Sequence, residues 1–443
     1  MEGMTNGSVP GAGCWVLGAR SRVRDAWCWV RASVLLALVL FVAVPVPASA
    51  YSVLTHEACV DALWQPAIQP LLQRRFPRAT PGDLQAARAF AYGGSVIQDL
   101  GYYPFGSRFF SDLVHYVRSG DFVEALIRNA RDINELAFAL GALSHYAADT
   151  VGHPEAVNPS VPLMFPKLRQ KYGDTVTYAE SPTSHIRVEF SFDVVQTAVG
   201  AYPSDAYRSF IGFEVAQRLL DRAFQETYGI ETKDVFGDED LAISSYRKSV
   251  SELLPELTRI AWRDKRDEIA KAFPTVRQDT FVFAYTRQQF EQDFGTAYRK
   301  RGWLVRMAGA FYRILPKIGP LKQLKFKLPT PDAEALYAAS FKDAQVRYAA
   351  VLAAAGRPSF DLENVNFDIG RAIAHGGYSL ADKTYAELLD RLERNNFAGV
   401  PPALRQNIAA FYANPIAPVT RKEQKQAEKI RAQIIAMMAP IAP

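Results

Sequence analysis

Apolar residues recur at helical spacing from Tyr51 almost to the C-terminus, and no stretch sustains the alternation of a half-buried strand. This pattern predicts an all-α helical bundle. Hydrophobic residues make up 49% of the chain and charged residues 22%, which suffices for a sizeable core. Pro66 and Pro70 predict a kink, and Asp83 and Asp132 are expected to begin helices. The predicted helices cover 57–75, 83–93, 121–128, 132–149, 160–171, 182–199, 204–227 and 239–273.

The N-terminus has the composition of a secretory signal peptide. Arg31 precedes an apolar run at 32–44, and Ala-Ser-Ala follows at 48–50. The run is shorter than the roughly 20 residues of a membrane-spanning helix, which favours a cleaved signal over an anchor. We therefore expect residues 1–50 to be removed between Ala50 and Tyr51, and the mature protein to be exported to the periplasm or the extracellular space.

Charge and cysteine content narrow the classes of partner. Residues 1–50 carry four arginines and two acids, so their removal changes the net charge from +5 to about +3. This excess is too small to indicate counterion-driven binding, and no stable nucleic-acid partner is expected. Cleavage also removes Cys14 and Cys28, which leaves Cys59 as a small buried hydrophobe without a disulfide.

The character of the chain changes near residue 275, which predicts a boundary between 51–275 and a helical C-terminal extension, 276–443, of unknown role. Within the extension, the stretch 299–327 is basic and aromatic. It would fit peripheral contact with an anionic lipid surface. A core-packed helix followed by a solvated connector explains it equally simply and is the favoured interpretation. The aromatic residues concerned are Trp303, Phe311, Tyr312 and Phe326.

Five of the six histidines fall in less than a third of the sequence, at His56, His115, His145, His153 and His185. His145 precedes Asp149 by four residues, and His185 precedes Glu189 by four. This spacing puts both members of a pair on one helix face, and imidazole with carboxylate is a ligand set that zinc accepts. One such pair is usually a surface ion pair. Two pairs with further histidines predict a metal site.

The neighbouring residues make two other histidines, His153 and His56, candidate metal ligands. His153 lies between Gly152 and Pro154, which are expected to end the helix and turn the imidazole toward a neighbouring metal. Cleavage after Ala50 would place His56 at mature position six. The α-amine of Tyr51 would then titrate near neutral pH and, once deprotonated, could ligate a metal together with its own carbonyl.

These residues resemble the zinc-dependent phospholipase C and P1/S1 nuclease superfamily over roughly 51–260. The family uses its mature N-terminal residue, usually Trp, and then histidines and acids in a fixed order. This chain offers the same order in Tyr51, His56, Asp99, His115, His145, Asp149, His153, His185 and Glu189. Tyr51 replaces the usual Trp, and Asp149 and His153 are closer together than is typical. The sequence from Tyr51 to Glu57 and the acid Glu189 are more similar to the phospholipase C branch.

The resemblance implies an all-α catalytic domain over 51–275 with three zinc ions. Asp99, His115, His145 and Asp149 would hold one ion. Tyr51 and His56 would hold a second, bridged to the first by Asp149, and His153, His185 and Glu189 would hold the third. It further implies in-line attack by a metal hydroxide that cleaves a phospholipid into diacylglycerol and a phosphorylated headgroup. Asp99 and Asp149 are the catalytic carboxylates, with Asp99 either a ligand or the base that orients water.

Aromatic residues are expected to wall the cleft and contact the substrate. They are Tyr102, Tyr103, Phe109 and Tyr116, for which core packing is an equal alternative. Asn158 is a candidate hydrogen-bond donor to substrate, whereas His375 is expected to be structural. Two other functions stay open: a P1-like single-strand nuclease, which would need stacking platforms and a basic groove, and a non-catalytic helical binding domain stabilised by metal.

Overall fold

The computed structural model describes residues 52–198, 213–250, 254–272, 325–355, 357, 360–416 and 424–439. All of them belong to one compact unit, Val46–Pro443. Four predictions lie outside the described residues: the signal peptide, the terminal ligand Tyr51, the boundary near 275 and most of the stretch 299–327.

Helices follow one another along almost all of the described chain, which confirms the all-α prediction. No strand occurs in the described ranges, and one isolated antiparallel bridge joins Asn366 to Arg371. The α-helices are α1 (Val53–Leu63), α2 (Gln69–Arg75), α3 (Pro81–Gly94), α4 (Arg108–Tyr116), α5 (Ser119–Asn129), α6 (Ile133–Gly152), α7 (Asn158–Met164), α8 (Pro166–Tyr172), α9 (Pro182–Ala198), α10 (Gln217–Tyr228), α11 (Glu239–Lys248), α12 (Leu254–Ala272), α13 (Pro331–Ala354), α14 (Ser379–Arg394), α15 (Pro402–Ala413) and α16 (Gln424–Met438).

Prolines and caps explain most helix boundaries. A π turn, Trp64–Ile68, separates α1 from α2 around Pro66, as the kink prediction required. Asp132 caps α6 by accepting from the Glu135 backbone N–H at 2.8 Å, also as predicted. The cap of α3 was assigned to the wrong residue. Thr80 is the N-cap, and Asp83 completes its capping box from the third helical position.

Two predicted long helices are each divided in two. The segment 160–171 belongs to α7 and α8, which meet at Phe165, because Pro166 opens a new helix in its first turn. The segment 239–273 contains α11 and α12. Of the predicted helix 204–227, residues 204–212 lie outside the described residues, 213–216 are not helical, which corrects the prediction there, and α10 begins at Gln217.

The α-helix ends at Gly152, as Gly152 and Pro154 predicted, but the chain does not leave the helical path there. The backbone N–H of His153 still donates to the Asp149 carbonyl, so the helical path continues through it. The chain then widens into a π turn, His153–Val157, before α7. Pro154 lacks a backbone N–H group and cannot donate a helical hydrogen bond. The wider π turn accommodates the missing bond, so the helical path of the chain is not interrupted.

Helices α3 and α6 cross at unusually close range because glycines line their contact. A Cβ atom on Gly94 would lie 2.0 Å from the Phe138 carbonyl oxygen, and one on Gly141 would lie 2.1 Å from that of Ala91. Any side chain there would force the backbones apart. The crossing therefore sets the position of α6, the helix that carries His145 and Asp149.

Helices from beyond residue 325 pack on the N-terminal ones and share their hydrophobic core. The Tyr348 hydroxyl of α13 donates to the Leu140 carbonyl at 2.8 Å, and Arg391 of α14 lies 4.3 Å from the centre of the Phe109 ring. Phe326 is buried, so this residue of the stretch 299–327 packs in the core. Cys59 is likewise buried with a free thiol. Within the described ranges no helix has the length and hydrophobicity needed to cross a membrane.

Candidate metal centre

Eight predicted ligands converge as three groups of nitrogen and oxygen atoms. Within each group the donor atoms lie within 4.8 Å of one another, and every member is buried. The bridging group is His56, His145 and Asp149; the Asp99 group is Asp99, His115 and His145; the third group is His153, His185 and Glu189. Each i, i+4 pair, His145 with Asp149 and His185 with Glu189, places both of its members in one group, as the spacing predicted.

Asp149 is the centre of the arrangement. One of its oxygens lies 3.3 Å from His56 Nε2, and the other lies 3.0 Å from His145 Nε2 and 3.6 Å from His115 Nε2. These three imidazoles come from α1, α6 and α4. Within the described part of the chain, neither oxygen accepts a hydrogen bond of good geometry. A buried carboxylate facing several imidazoles at this range fits a shared cation, which would compensate its lost hydration.

Backbone carbonyls fix the orientation of two imidazoles. His115 Nδ1 lies 2.8 Å from the Ser111 carbonyl oxygen, and His145 Nδ1 lies 3.0 Å from that of Ser95. Because a carbonyl can only accept, each Nδ1 carries a proton, which leaves Nε2 as the nitrogen that faces the acids and could ligate a metal. This is the tautomer that a metal-ligating histidine needs.

The third group combines the end of α6 with the start of α9. His185 Nε2 lies 2.9 Å from Glu189 Oε1 and 2.9 Å from His153 Nδ1. The rings of His153 and His185 stack with their centroids 4.9 Å apart. His153 therefore reaches the third group while its other nitrogen, Nε2, stays 3.7 Å from Asp149.

Electrostatics of the metal-free site also favour a cation. Burial, with the nearby His145, lowers the pKa of His56 to about 3. Burial also opposes charge on His115, but Asp149 and Asp99 raise the pKa of that imidazole to about 10. Burial raises the pKa of Asp149, yet His145 and the other imidazoles hold it well below the ordinary value. Asp149 thus stays ionised and favours protons on the neighbouring imidazoles, and a divalent cation would replace those protons.

The peptide that leads into His56 is anchored to α9. Asp193 accepts hydrogen bonds from the Leu54 backbone N–H at 3.1 Å and the Thr55 hydroxyl at 2.8 Å. Asp193 follows Glu189 by one helical turn, so α9 both contributes a candidate ligand and fixes the segment that carries His56. Sequence reasoning missed this role, although the continued i, i+4 row from His185 was a usable signal.

The predicted substrate residues divide into two sets. The rings of Tyr102 and Tyr116 each lie 6.0 Å from the His115 ring, beside the Asp99 group. Asn158 donates to the Asp368 carbonyl at 2.7 Å. Among the described residues, the ring contacts of Tyr103 and Phe109 are instead with Tyr246 and Arg391, so the structure does not bring these two rings onto a candidate ligand.

Residues far along the chain also reach the centre, and the sequence did not reveal them. The Phe367 ring lies 5.1 Å from that of His115, and Asp368 Oδ1 lies 3.4 Å from His153 Nε2. The Tyr178 ring meets His185 edge-on at 5.6 Å. His375, expected to be structural, packs against Tyr412 at 5.0 Å. No histidine spacing marks Phe367 or Asp368, because both lie in a turn.

The fold and the three groups define a class: an all-α protein with a multinuclear centre of histidines and carboxylates. Residues 55–238 match the family model described as zinc dependent phospholipase C. This match confirms the resemblance and its phospholipase C branch and supports a hydrolase that uses zinc. The match includes every candidate ligand from His56 to Glu189. No curated protein and no solved structure matches the chain.

Proposed function

We propose that the protein is a phospholipase C that hydrolyses a phospholipid to diacylglycerol and a phosphorylated headgroup. The observation that carries this proposal is the position of Asp149, whose two oxygens face imidazoles of two adjacent donor groups within the family-matched segment. A carboxylate shared in this way suits a catalytic pair of ions, whereas a structural zinc site is usually closed by four ligands around one ion.

The ligand assignment of the proposal is as follows. Asp99, His115, His145 and Asp149 would hold one zinc ion; His56 and the N-terminal residue Tyr51, with Asp149, would hold a second; His153, His185 and Glu189 would hold the third. Bound zinc supplies Lewis acidity toward the phosphoryl group and makes water acidic enough to attack near neutral pH. Three ions are proposed because the donor atoms form three groups.

Two carboxylates and two aromatic rings lie where they could bind metal, orient water and contact the substrate. Asp149 and Asp99 lie 3.6 Å and 3.5 Å from the same His115 nitrogen, so both carboxylates border one space. Asp99 is placed there either to bind metal or to orient the attacking water. The Tyr102 and Tyr116 rings beside His115 offer faces to a cationic headgroup such as choline.

Export is part of the proposal, because the terminal ligand requires cleavage after Ala50. Support comes from the anchored start of the described chain: Asp193 fixes the backbone at Leu54 and the side chain of Thr55, next to the buried His56. The described start of the chain is thereby anchored next to the bridging group.

The test measures bound zinc and hydrolysis on the same preparation of the mature protein. Release of phosphocholine from phosphatidylcholine is followed in parallel with cleavage of single-stranded DNA. Asp149→Asn is expected to lose zinc and lipid hydrolysis, whereas Asp174→Asn, on an exposed aspartate, is expected to retain both. Cleavage of DNA alone would assign the centre to a nuclease. Full zinc loading with neither activity would refute the enzymatic proposal.

A further inference from the structure

A turn that lies between α13 and α14 is pressed onto the metal centre. We call residues 360–378 the cover segment. Its backbone N–H groups at Phe367 and Val365 donate to the His115 carbonyl at 3.2 Å and to the Ser119 hydroxyl at 3.1 Å. Gly370 has φ +67°, and a Cβ atom there would lie 2.6 Å from the Thr150 carbonyl oxygen. The cover segment thus touches both α4 and α6, the helices that carry His115 and His145.

Asp368 is the acidic residue that the cover segment brings to the centre. It is 3% exposed, and its Oδ1 lies 3.4 Å from His153 Nε2. Its Oδ2 accepts hydrogen bonds from the Tyr116 hydroxyl at 2.8 Å and from the Tyr378 hydroxyl. Asn158 holds its backbone carbonyl. One oxygen is therefore fixed by two hydroxyls, and the other is directed at an imidazole.

The two nitrogens of His153 have different neighbours. Nδ1 lies 2.9 Å from His185 Nε2, on the side of the third group, whereas Nε2 lies nearer to Asp368, at 3.4 Å, than to Asp149, at 3.7 Å. A histidine that ligates metal through one nitrogen almost always donates the other N–H to a carboxylate or a carbonyl. His115 and His145 use backbone carbonyls for this purpose. For His153 the corresponding acceptor is Asp368.

We infer that Asp368 is a positioning residue for the third metal site, which accepts the Nε2 proton of His153 and aims Nδ1 at the ion. The inference rests on the zinc centre of the proposed function and extends it to a part of the chain outside the family-matched segment. Asp368 acts through His153, because the compact donor group there consists of His153, His185 and Glu189 alone among the described residues.

This assignment gives the C-terminal part of the chain a role in the centre. The hydroxyl of Tyr378 and the carboxylate of Asp368 both belong to the cover segment, whereas Tyr116 directly follows His115. The hydrogen-bonded set Tyr378, Asp368 and Tyr116 therefore connects the third group to the Asp99 group through side chains. A family domain truncated before the cover segment would have His153 without its acceptor.

The test compares Asp368→Asn with Asp361→Asn, an exposed aspartate of the same cover segment. Zinc affinity is measured by equilibrium dialysis against a chelator series, and the cadmium-loaded proteins are compared by cadmium NMR. Asp368→Asn is expected to weaken one ion about 10- to 100-fold and to shift the resonance of that ion, with the others unchanged. Asp361→Asn is expected to match the unaltered protein in both measurements.

Equal affinities and spectra for the two variants would overturn the inference. If Asp368→Asn fails to fold, Tyr378→Phe is measured instead, because it removes one of the two hydroxyl groups that donate to the Asp368 carboxylate. This variant must then bind the same zinc ion more weakly. Unchanged zinc affinity would overturn the inference. Metal binding is measured without lipid. A loaded protein that hydrolyses no phosphatidylcholine would therefore refute the proposed function and leave the result for Asp368 standing.

Discussion

Replacing Gly141 by alanine tests whether the close crossing of α3 and α6 positions the centre. The new Cβ would lie 2.1 Å from the Ala91 carbonyl oxygen and 2.8 Å from the Ser95 nitrogen. Both obstacles are backbone atoms, so rotation of a side chain cannot relieve the clash. Reaching the 3.4 Å of ordinary contact requires a displacement of about 1.3 Å between the helices.

The displacement has a cost in stability and a separate cost in activity. Alanine gains ~1 kcal/mol of helix propensity over glycine, while overpacking costs ~1–3 kcal/mol. With backbone obstacles we expect the upper end, and a net loss of about 2 kcal/mol in the free energy of unfolding. The Ser95 carbonyl that orients His145 moves with α3, and a misplacement near 1 Å reduces turnover on the order of 100-fold.

The assay is urea denaturation together with zinc content and the rate of phosphatidylcholine hydrolysis. Gly82→Ala is the matched control, because the nearest atom to its Cβ, Thr80 Oγ1, is 3.7 Å away and the position is exposed on the same helix, α3. The control is expected to be neutral or slightly stabilising. If Gly141→Ala unfolds at the same urea concentration as the control and turns over at the same rate, the reasoning about this crossing is wrong.

Three further predictions concern pH, anchoring and processing. In the metal-free protein, the lowered pKa of His56 contributes stability that is present above pH 6.5 and is lost as the pH falls toward about 3. The raised pKa of His115 contributes stability that is present below pH 6.5 and is lost as the pH rises toward about 10. Its melting temperature should peak near pH 6.5, and a flat profile across this range would contradict the assignment. Asp193→Ala removes two buried hydrogen bonds to the His56 segment and should cost about 2–3 kcal/mol in urea denaturation; a loss below about 0.5 kcal/mol would count against the anchor. Extra residues before Tyr51 should remove one zinc ion and most of the hydrolysis, as measured by metal analysis beside the correctly processed protein.

Local rules predicted the helical fold and the two ligand pairs at i, i+4 spacing, whereas the grouping of ligands from separate helices followed from the family resemblance. The four-residue spacing of His145 with Asp149 and of His185 with Glu189 is a property of the helix itself, so it survives any tertiary arrangement. The proline at position 66 and the cap at Asp132 are equally local.

Features that depend on distant or competing interactions were not predicted. Gly152 and Pro154 indicated where the α-helix ends, but not that the chain continues along a helical path in a π turn, which absorbs the missing N–H group. Thr80 precedes Asp83 and takes the cap that the acid was expected to supply. Asp368 reaches His153 only through tertiary packing of the cover segment, and no periodic pattern in the sequence predicts such a contact.

The cover segment also constrains the order in which the molecule folds. Tyr116 and Asp368 are separated by 252 positions, and Asn158 and Asp368 by 210. We expect contacts between such distant positions to form late, because closing a long loop costs conformational entropy before the contact contributes any stabilising free energy. The helices that hold most of the ligands therefore assemble first, and the last stretch of the polypeptide must arrive before His153 is locked in its final orientation.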